Sequence, residues 1–142
     1  MTIAVDFDGT CVTHEFPNVG KDIGAAKILR RLVDNGHQLI LWTMRCDHPE
    51  EFELVGQSDI HAEKGSYLSD ALNWFDLNEI PLYGIQRNPT QDTWTLSPKC
   101  YAQLYIDDAA LGCPLTYDPE ISDRPFVNWN EVEYELYKLG LI

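Results

Sequence analysis

Two short apolar runs, each ending abruptly in polar residues, constrain this chain most. Ile3-Ala4-Val5 runs straight into Asp6-Phe7-Asp8-Gly9-Thr10, and Leu39-Ile40-Leu41-Trp42 runs into Thr43-Met44-Arg45. Between them Ile23, Ala26, Leu29, Leu32 and Val33 recur at helical spacing, with Asp22 as N-cap and Asn35-Gly36 as the stop. The second run is too continuous for a half-exposed strand and predicts a parallel strand covered on both faces. Strand, helix, strand in this order is a βαβ unit, whose crossover is nearly always right-handed.

The same alternation continues. Leu68, Ala71, Leu72 and Phe75 fall at i, i+3, i+4 and i+7, predicting a second helix closed by Pro81. Leu82-Tyr83-Gly84-Ile85 predicts a third strand and Leu104-Tyr105-Ile106 a fourth, the latter running into Asp107-Asp108. Segment 87–98, broken by Asn88-Pro89 and Ser97-Pro98, predicts a loop. Segment 46–63 is acidic around Pro49 and Gly56 and predicts a surface excursion holding a short helix or hairpin. Gly112, Pro114, Pro119 and Pro125 predict irregular structure, followed by a last helix over about 130–139 with Val132, Leu136 and Leu139 on one face. The whole reads as α/β: a doubly wound, Rossmann-like parallel sheet flanked by helices, in a single domain over 1–142. A chain of 142 residues suits one domain, burying about two-thirds of its unfolded surface.

Charge narrows the partners. Ten basic against 23 acidic residues give a net charge of −13, which argues against nucleic acid, whose phosphates are held mainly by basic residues. A small anionic substrate remains compatible if a metal and a few cations are focused in one cleft. Cys11, Cys46, Cys100 and Cys113 are scattered without a Cys-x-x-Cys, which reads as reduced thiols in a cytoplasmic protein. The opening Met1-Thr2-Ile3-Ala4-Val5-Asp6 lacks the basic start of a signal peptide, and no apolar run suits a membrane span.

The chemistry concentrates at the strand ends. In open parallel sheets, ligands sit outside the carboxyl ends of the strands, near the topological switch point. Parallel strands would gather Asp6, Asp8, Thr43, Arg45, Arg87, Asp107 and Asp108 along that rim. Asp6 and Asp8 start on one face if the strand geometry persists, and Gly9 lets the chain turn sharply with its amide open to a ligand. Two carboxylates about 4 Å apart repel by about 4 kcal/mol at an effective dielectric near 20. Such a pair wants a cation, a shared proton or separate roles. An Asp-Gly hairpin turn is the bland alternative for this stretch. Hard oxygen donors suit Mg²⁺, whereas His14, His37, His48 and His61 lack a zinc-like spacing. Arg45 and Arg87 lie near the rim as substrate-recognition or salt-bridge residues.

Asp6-Phe7-Asp8-Gly9-Thr10, Thr43 after an apolar strand, Lys99, and Asp107-Asp108 together resemble the four motifs of the haloacid dehalogenase-like (HAD) hydrolase superfamily. In size the chain is similar to its small bacterial and phage members. The resemblance implies a Mg²⁺-dependent phosphatase acting on a small phosphorylated substrate. It makes Asp6 the nucleophile and Asp8 the general acid–base. Thr43 would be a phosphoryl contact, and Lys99 (rather than Lys64) the charge-balancing cation. It implies Mg²⁺ on Asp6, the Asp8 carbonyl and Asp107, with Asp108 direct or through water. Gly9, Thr10 and Arg45, beside these at the rim, are the expected substrate-binding residues. Phosphotransfer to another acceptor, and a non-catalytic metal- or phosphate-binding module, are the rival expectations. No segment is long enough for the family's large cap, so the domain reads as capless. A neighbouring subunit in a homo-oligomer, segment 46–63 or a large substrate would each cover the open site, and the sequence leaves all three open.

Overall fold

The structure, a computed structural model, describes residues 1–48 and 65–142. Four parallel strands form the central sheet: β1 (Thr2–Val5), β2 (Gln38–Leu41), β5 (Gly84–Ile85) and β6 (Leu104–Ile106), in the order β5-β2-β1-β6. Val5 stands opposite Leu41 on one side and Ile106 on the other, so three chains reach their carboxyl ends level with one another. The α/β parallel sheet with flanking helices is the expected architecture. The third strand is shorter than expected, Gly84–Ile85 alone pairing with β2.

Right-handed crossovers decide which face each connection covers. Helix α1 (Ala25–Asp34) and helix α2 (Tyr67–Leu77) serve the steps β1 to β2 and β2 to β5, which run the same way across the sheet. Both therefore pack on one face, where Ile3, Val5, Leu39, Leu41 and Ile106 meet Ile28, Leu29, Leu32, Ala71 and Phe75. Helix α3 (Trp129–Lys138) joins them through Trp129, Val132 and Leu136. The step from β5 to β6 runs back across the sheet, so its connection lies on the other face. That face is a smaller cluster of Ala4, Ile40 and Cys100, flanked by Trp42, Tyr83, Ala102 and Tyr105. A helix would usually form this layer; here segment 86–103 is irregular apart from one 3-10 turn at Gln91–Thr93. It is organised by a buried glutamine. Gln91 donates to the carbonyls of Ser97 (3.2 Å) and Lys99 (3.0 Å) and accepts from the amides of Asn88 (3.2 Å) and Tyr101 (3.0 Å).

Several local expectations shift. Asp22 does not cap α1 directly; its carboxylate accepts the amide of Gly24, the N-cap residue, at 2.9 Å. Leu139 lies 61% exposed, because α3 ends at Lys138 and the buried face is completed by Trp129 instead. The tract after Asp108 forms an antiparallel ribbon, β7 (Leu115–Thr116) with β8 (Phe126–Val127). Segment 46–63 is closed at its base by β3 (Asp47–His48) pairing antiparallel with β4 (Gly65–Ser66); residues 49–64, with Asp59, His61 and Lys64, lie outside the described residues. Among the described residues, no helix is long and apolar enough to cross a membrane.

The start of α2 is capped from a distance. Ser66, its N-cap residue, makes no side-chain cap bond. Asp47 does so, accepting the Ser69 amide at 2.9 Å and hydroxyl at 2.6 Å, and these bonds hold its carboxyl below the usual carboxylate range. Asp47→Ala is expected to lower stability by about 1 kcal/mol, the usual cost of a lost cap. A reduced urea midpoint at unchanged m-value would register it, and an unchanged midpoint would refute it.

Candidate functional site

β1 stops at Val5, but its pairing runs one residue further: the Asp6 amide donates to the Ile106 carbonyl at 3.0 Å. Phe7 then turns into the core, fully buried, with its ring edge-on to Trp74 at 5.7 Å. Its carbonyl accepts the amides of Thr10 (3.2 Å), Cys11 (2.7 Å) and Val12 (3.3 Å), and this knot bends the chain away from the sheet. Trp129 holds the knot from behind, its indole N–H donating to the Thr10 carbonyl at 2.7 Å.

Asp6, Asp107 and Asp108 come together at the top of β1 and β6. Each offers a carboxylate oxygen, and all three oxygens lie within 4.8 Å of one another, a ligand set that could hold a metal ion. This is the topological switch point: β2 and β5 lie to one side of β1 and β6 to the other. Thr10 stitches the two strands together. Its buried hydroxyl lies 3.1 Å from Asp6 Oδ2 and 3.3 Å from Asp108 Oδ1, and accepts the Asp108 amide at 3.0 Å. Asp108 Oδ2 meets His14 Nε2 at 2.9 Å. Burial, reinforced by the charges of Asp107 and Asp108, pushes the Asp6 carboxyl up to about 7.

Asp8 goes elsewhere. Its carboxylate is gripped by Arg45, Nε to Oδ2 at 2.7 Å and Nη2 to Oδ1 at 2.8 Å. Its carboxylate is not among the three that converge, so any share in holding a metal falls to its backbone carbonyl. Arg45, expected either on the substrate side or in a salt bridge, takes the second role: it is 2% exposed and its N–H groups are committed. Beyond Asp8 they reach the carbonyls of Pro17 (3.4 Å), Asn18 (2.8 Å) and Tyr67 (3.2 Å), while the guanidinium lies over Phe7 and Phe16. It is a buried clasp joining the Asp8 turn, segment 15–20 and the start of α2. Arg87 likewise pairs with Asp92.

The remaining expected residues divide. Thr43 sits half-buried just past β2, its hydroxyl oxygen accepting the Arg45 amide at 3.2 Å. Gln86, in left-handed backbone at φ 57°, braces that turn by accepting the Thr43 amide (2.9 Å) and donating to the carbonyls of Thr43 (2.6 Å) and Arg45 (2.9 Å). The Gly9 amide is not open to a ligand; it donates to the Val12 carbonyl at 2.7 Å. Glycine is needed there for another reason: φ is +79°, and a Cβ would fall 2.0 Å from His14 Nε2. Lys99 is exposed, its ammonium 5.9 Å over the Tyr105 ring, and among the described residues it forms no ion pair. Sequence reasoning did not single out His14, Gln86 or Trp129.

No family model matches this chain, and no curated protein matches it significantly. A solved structure, described as that of a conserved protein from Bacteroides thetaiotaomicron, is similar to it along nearly its whole length. The two are 29% identical, the match covering 99% of this chain and 91% of the other at a TM-score of 0.68.

The raised Asp6 carboxyl has a thermodynamic consequence. Its folded value of about 7 lies above the ordinary 3.8, so between those limits the folded chain holds a proton that the unfolded chain releases. Stability from this group is therefore full in acid and lost as pH rises toward 7. Without added metal, Asp6→Asn is expected to be more stable than wild type at pH 8 and to lose that advantage by pH 4. Thermal midpoints across that range would show it, and a constant difference between the two would contradict it.

Proposed function

We propose that this chain is a Mg²⁺-dependent phosphomonoester hydrolase of the HAD-like class, working through Asp6 on a small phosphorylated substrate. The observation that carries this reading is the convergence of the Asp6, Asp107 and Asp108 carboxylates at the carboxyl edge of the sheet. An all-oxygen donor set fits Mg²⁺, which is commonly bound by one or two carboxylates, waters and substrate phosphate. Bound there, the cation would neutralise the carboxylates and let an anionic nucleophile meet an anionic phosphate.

The chain's own residues would then do the chemistry. An Asp6 oxygen attacks phosphorus, the bond to the leaving oxygen breaks, and Asp8 gives that oxygen its proton. In the second half Asp8 takes a proton from water as the water attacks phosphorus, releasing inorganic phosphate and restoring Asp6. For this, Asp8 must turn one oxygen away from Arg45 toward the substrate. Thr43 and Lys99 would contact the transferring group, Lys99 by swinging in from the surface.

A second reading is a metal- or phosphate-binding module without turnover. Two observations favour it: both Asp8 oxygens are held by Arg45, and Lys99 stands away from any carboxylate among the described residues. A screen of phosphate esters with and without Mg²⁺ separates the two. Hydrolysis is expected to require Mg²⁺, and Asp6→Asn to reduce it by about 10³-fold or more while the fold survives. A folded Asp6→Asn protein hydrolysing at the wild-type rate would overturn the nucleophile assignment. Failure to bind beryllium fluoride in the presence of Mg²⁺, together with no turnover of any ester, would favour the second reading instead.

A further inference from the structure

Resting on the reading of the acid triad as a divalent-cation site, we propose that His14 is a positioning residue for it. The imidazole fixes the Asp108 carboxylate from behind and thereby sets how tightly the cation is held. The imidazole is outside the ligand set: the three groups whose atoms converge are Asp6, Asp107 and Asp108. Its Nε2 instead meets Asp108 Oδ2 at 2.9 Å. An ionised carboxylate only accepts hydrogen bonds, so Nε2 carries the proton and has no lone pair for a metal. It is a donor that orients, in the way that outer partners of metal-binding carboxylates do.

Asp108 needs such a donor. With three carboxylate oxygens within 4.8 Å of one another, the ionised groups repel, and a free side chain would rotate away. Asp108 is instead held at three points. Its Oδ2 faces His14, its Oδ1 lies 3.3 Å from the Thr10 hydroxyl, and its amide donates to the same hydroxyl oxygen at 3.0 Å. Among the described residues, the Asp107 side chain is held by a local bond from the Ala109 amide at 2.8 Å.

The chain builds a support for this one contact. The ideal Cβ position of Gly9 falls 2.0, 2.5 and 2.6 Å from three ring atoms of His14, so the imidazole occupies the space that any larger residue would fill. The loop delivering His14 is closed by its buried neighbour Thr13. That residue donates its amide to the Lys21 carbonyl (3.1 Å) and accepts the Lys21 amide at its hydroxyl (2.9 Å). Glycine at position 9 thus serves the histidine five residues on, not an incoming ligand.

Titration of the full chain with Mn²⁺, reading free Mn²⁺ by electron paramagnetic resonance, tests this. His14→Ala is expected to weaken binding by about 10- to 100-fold. His14→Gln, whose amide nitrogen can reach the Nε2 position, is expected to restore it to within about threefold of wild type. Metal-free melting temperatures, recorded alongside, register any purely structural effect separately. A folded His14→Ala protein with wild-type Mn²⁺ affinity would overturn the proposal. So would Ala and Gln variants weakened equally. If His14→Ala fails to fold, His14→Asn against His14→Gln makes the same comparison, since the shorter amide cannot reach Asp108. Equal affinity of those two would overturn it. A wild-type protein that binds no Mn²⁺ would instead sink the cation-site reading on which this inference stands.

Discussion

The parallel pairing of β1 with β6 is the constraint from which the rest follows. Val5 lies opposite Ile106, and the hydrogen bond from the Asp6 amide to the Ile106 carbonyl carries that pairing just past the end of the strand. The next residue on each strand is therefore an acid, and the two segments, about a hundred residues apart in sequence, deliver their carboxylates to one place. A slip of one residue would send one of them to the opposite face of the sheet. The register is secured by the core beneath, where Ile3, Val5 and Ile106 pack on the same side. Burial of these apolar side chains thus supports the crowding of charge above them.

That crowding is what gives the site its character. Proteins keep like charges close and partly buried where a proton, a cation or a reaction makes use of them. Asp6, pushed up to about 7 chiefly by burial, sits on the boundary between its protonated and ionised forms at neutral pH. Around the triad, the Thr10 hydroxyl contacts Asp6 and Asp108 and the His14 ring contacts Asp108, while one oxygen from each acid lies within 4.8 Å of the others. Arg45 neutralises Asp8 in a separate, buried pair. Two acids two residues apart are thereby given different partners, one at a potential cation site and one on the buried Arg45 guanidinium.

The parts that sequence made legible are those written in local periodicity. The apolar runs of β1 and β2, the spacing of α1 and α2, and Leu104-Tyr105-Ile106 before two acids were enough to place Asp6 and Asp107 at one edge. What stayed hidden was set by contacts between distant side chains. His14 is an isolated loop histidine with no spacing to mark it, and its partner lies 94 residues away. Gln91 and Gln86 look like ordinary surface glutamines, yet Gln91 organises the connection on the second face of the sheet and Gln86 braces the turn after β2. Arg45 has the same appearance in sequence whether it faces substrate or core; only the buried approach of Pro17, Asn18 and Tyr67 carbonyls decides it. Gly9 was legible as a turn glycine, which its φ of +79° bears out, but its amide is bonded to Val12 rather than open, and the His14 ring that excludes a side chain there cannot be seen from the Asp-Gly dipeptide.

The most direct measurement is the location of a divalent ion in crystals grown with Mn²⁺, by anomalous scattering. The account predicts one strong peak above the gap between β1 and β6, with oxygens of Asp6 and Asp107 about 2.1 Å away in octahedral geometry. No peak there at saturating Mn²⁺, or a peak bound elsewhere while these carboxylates stay unligated, would contradict it.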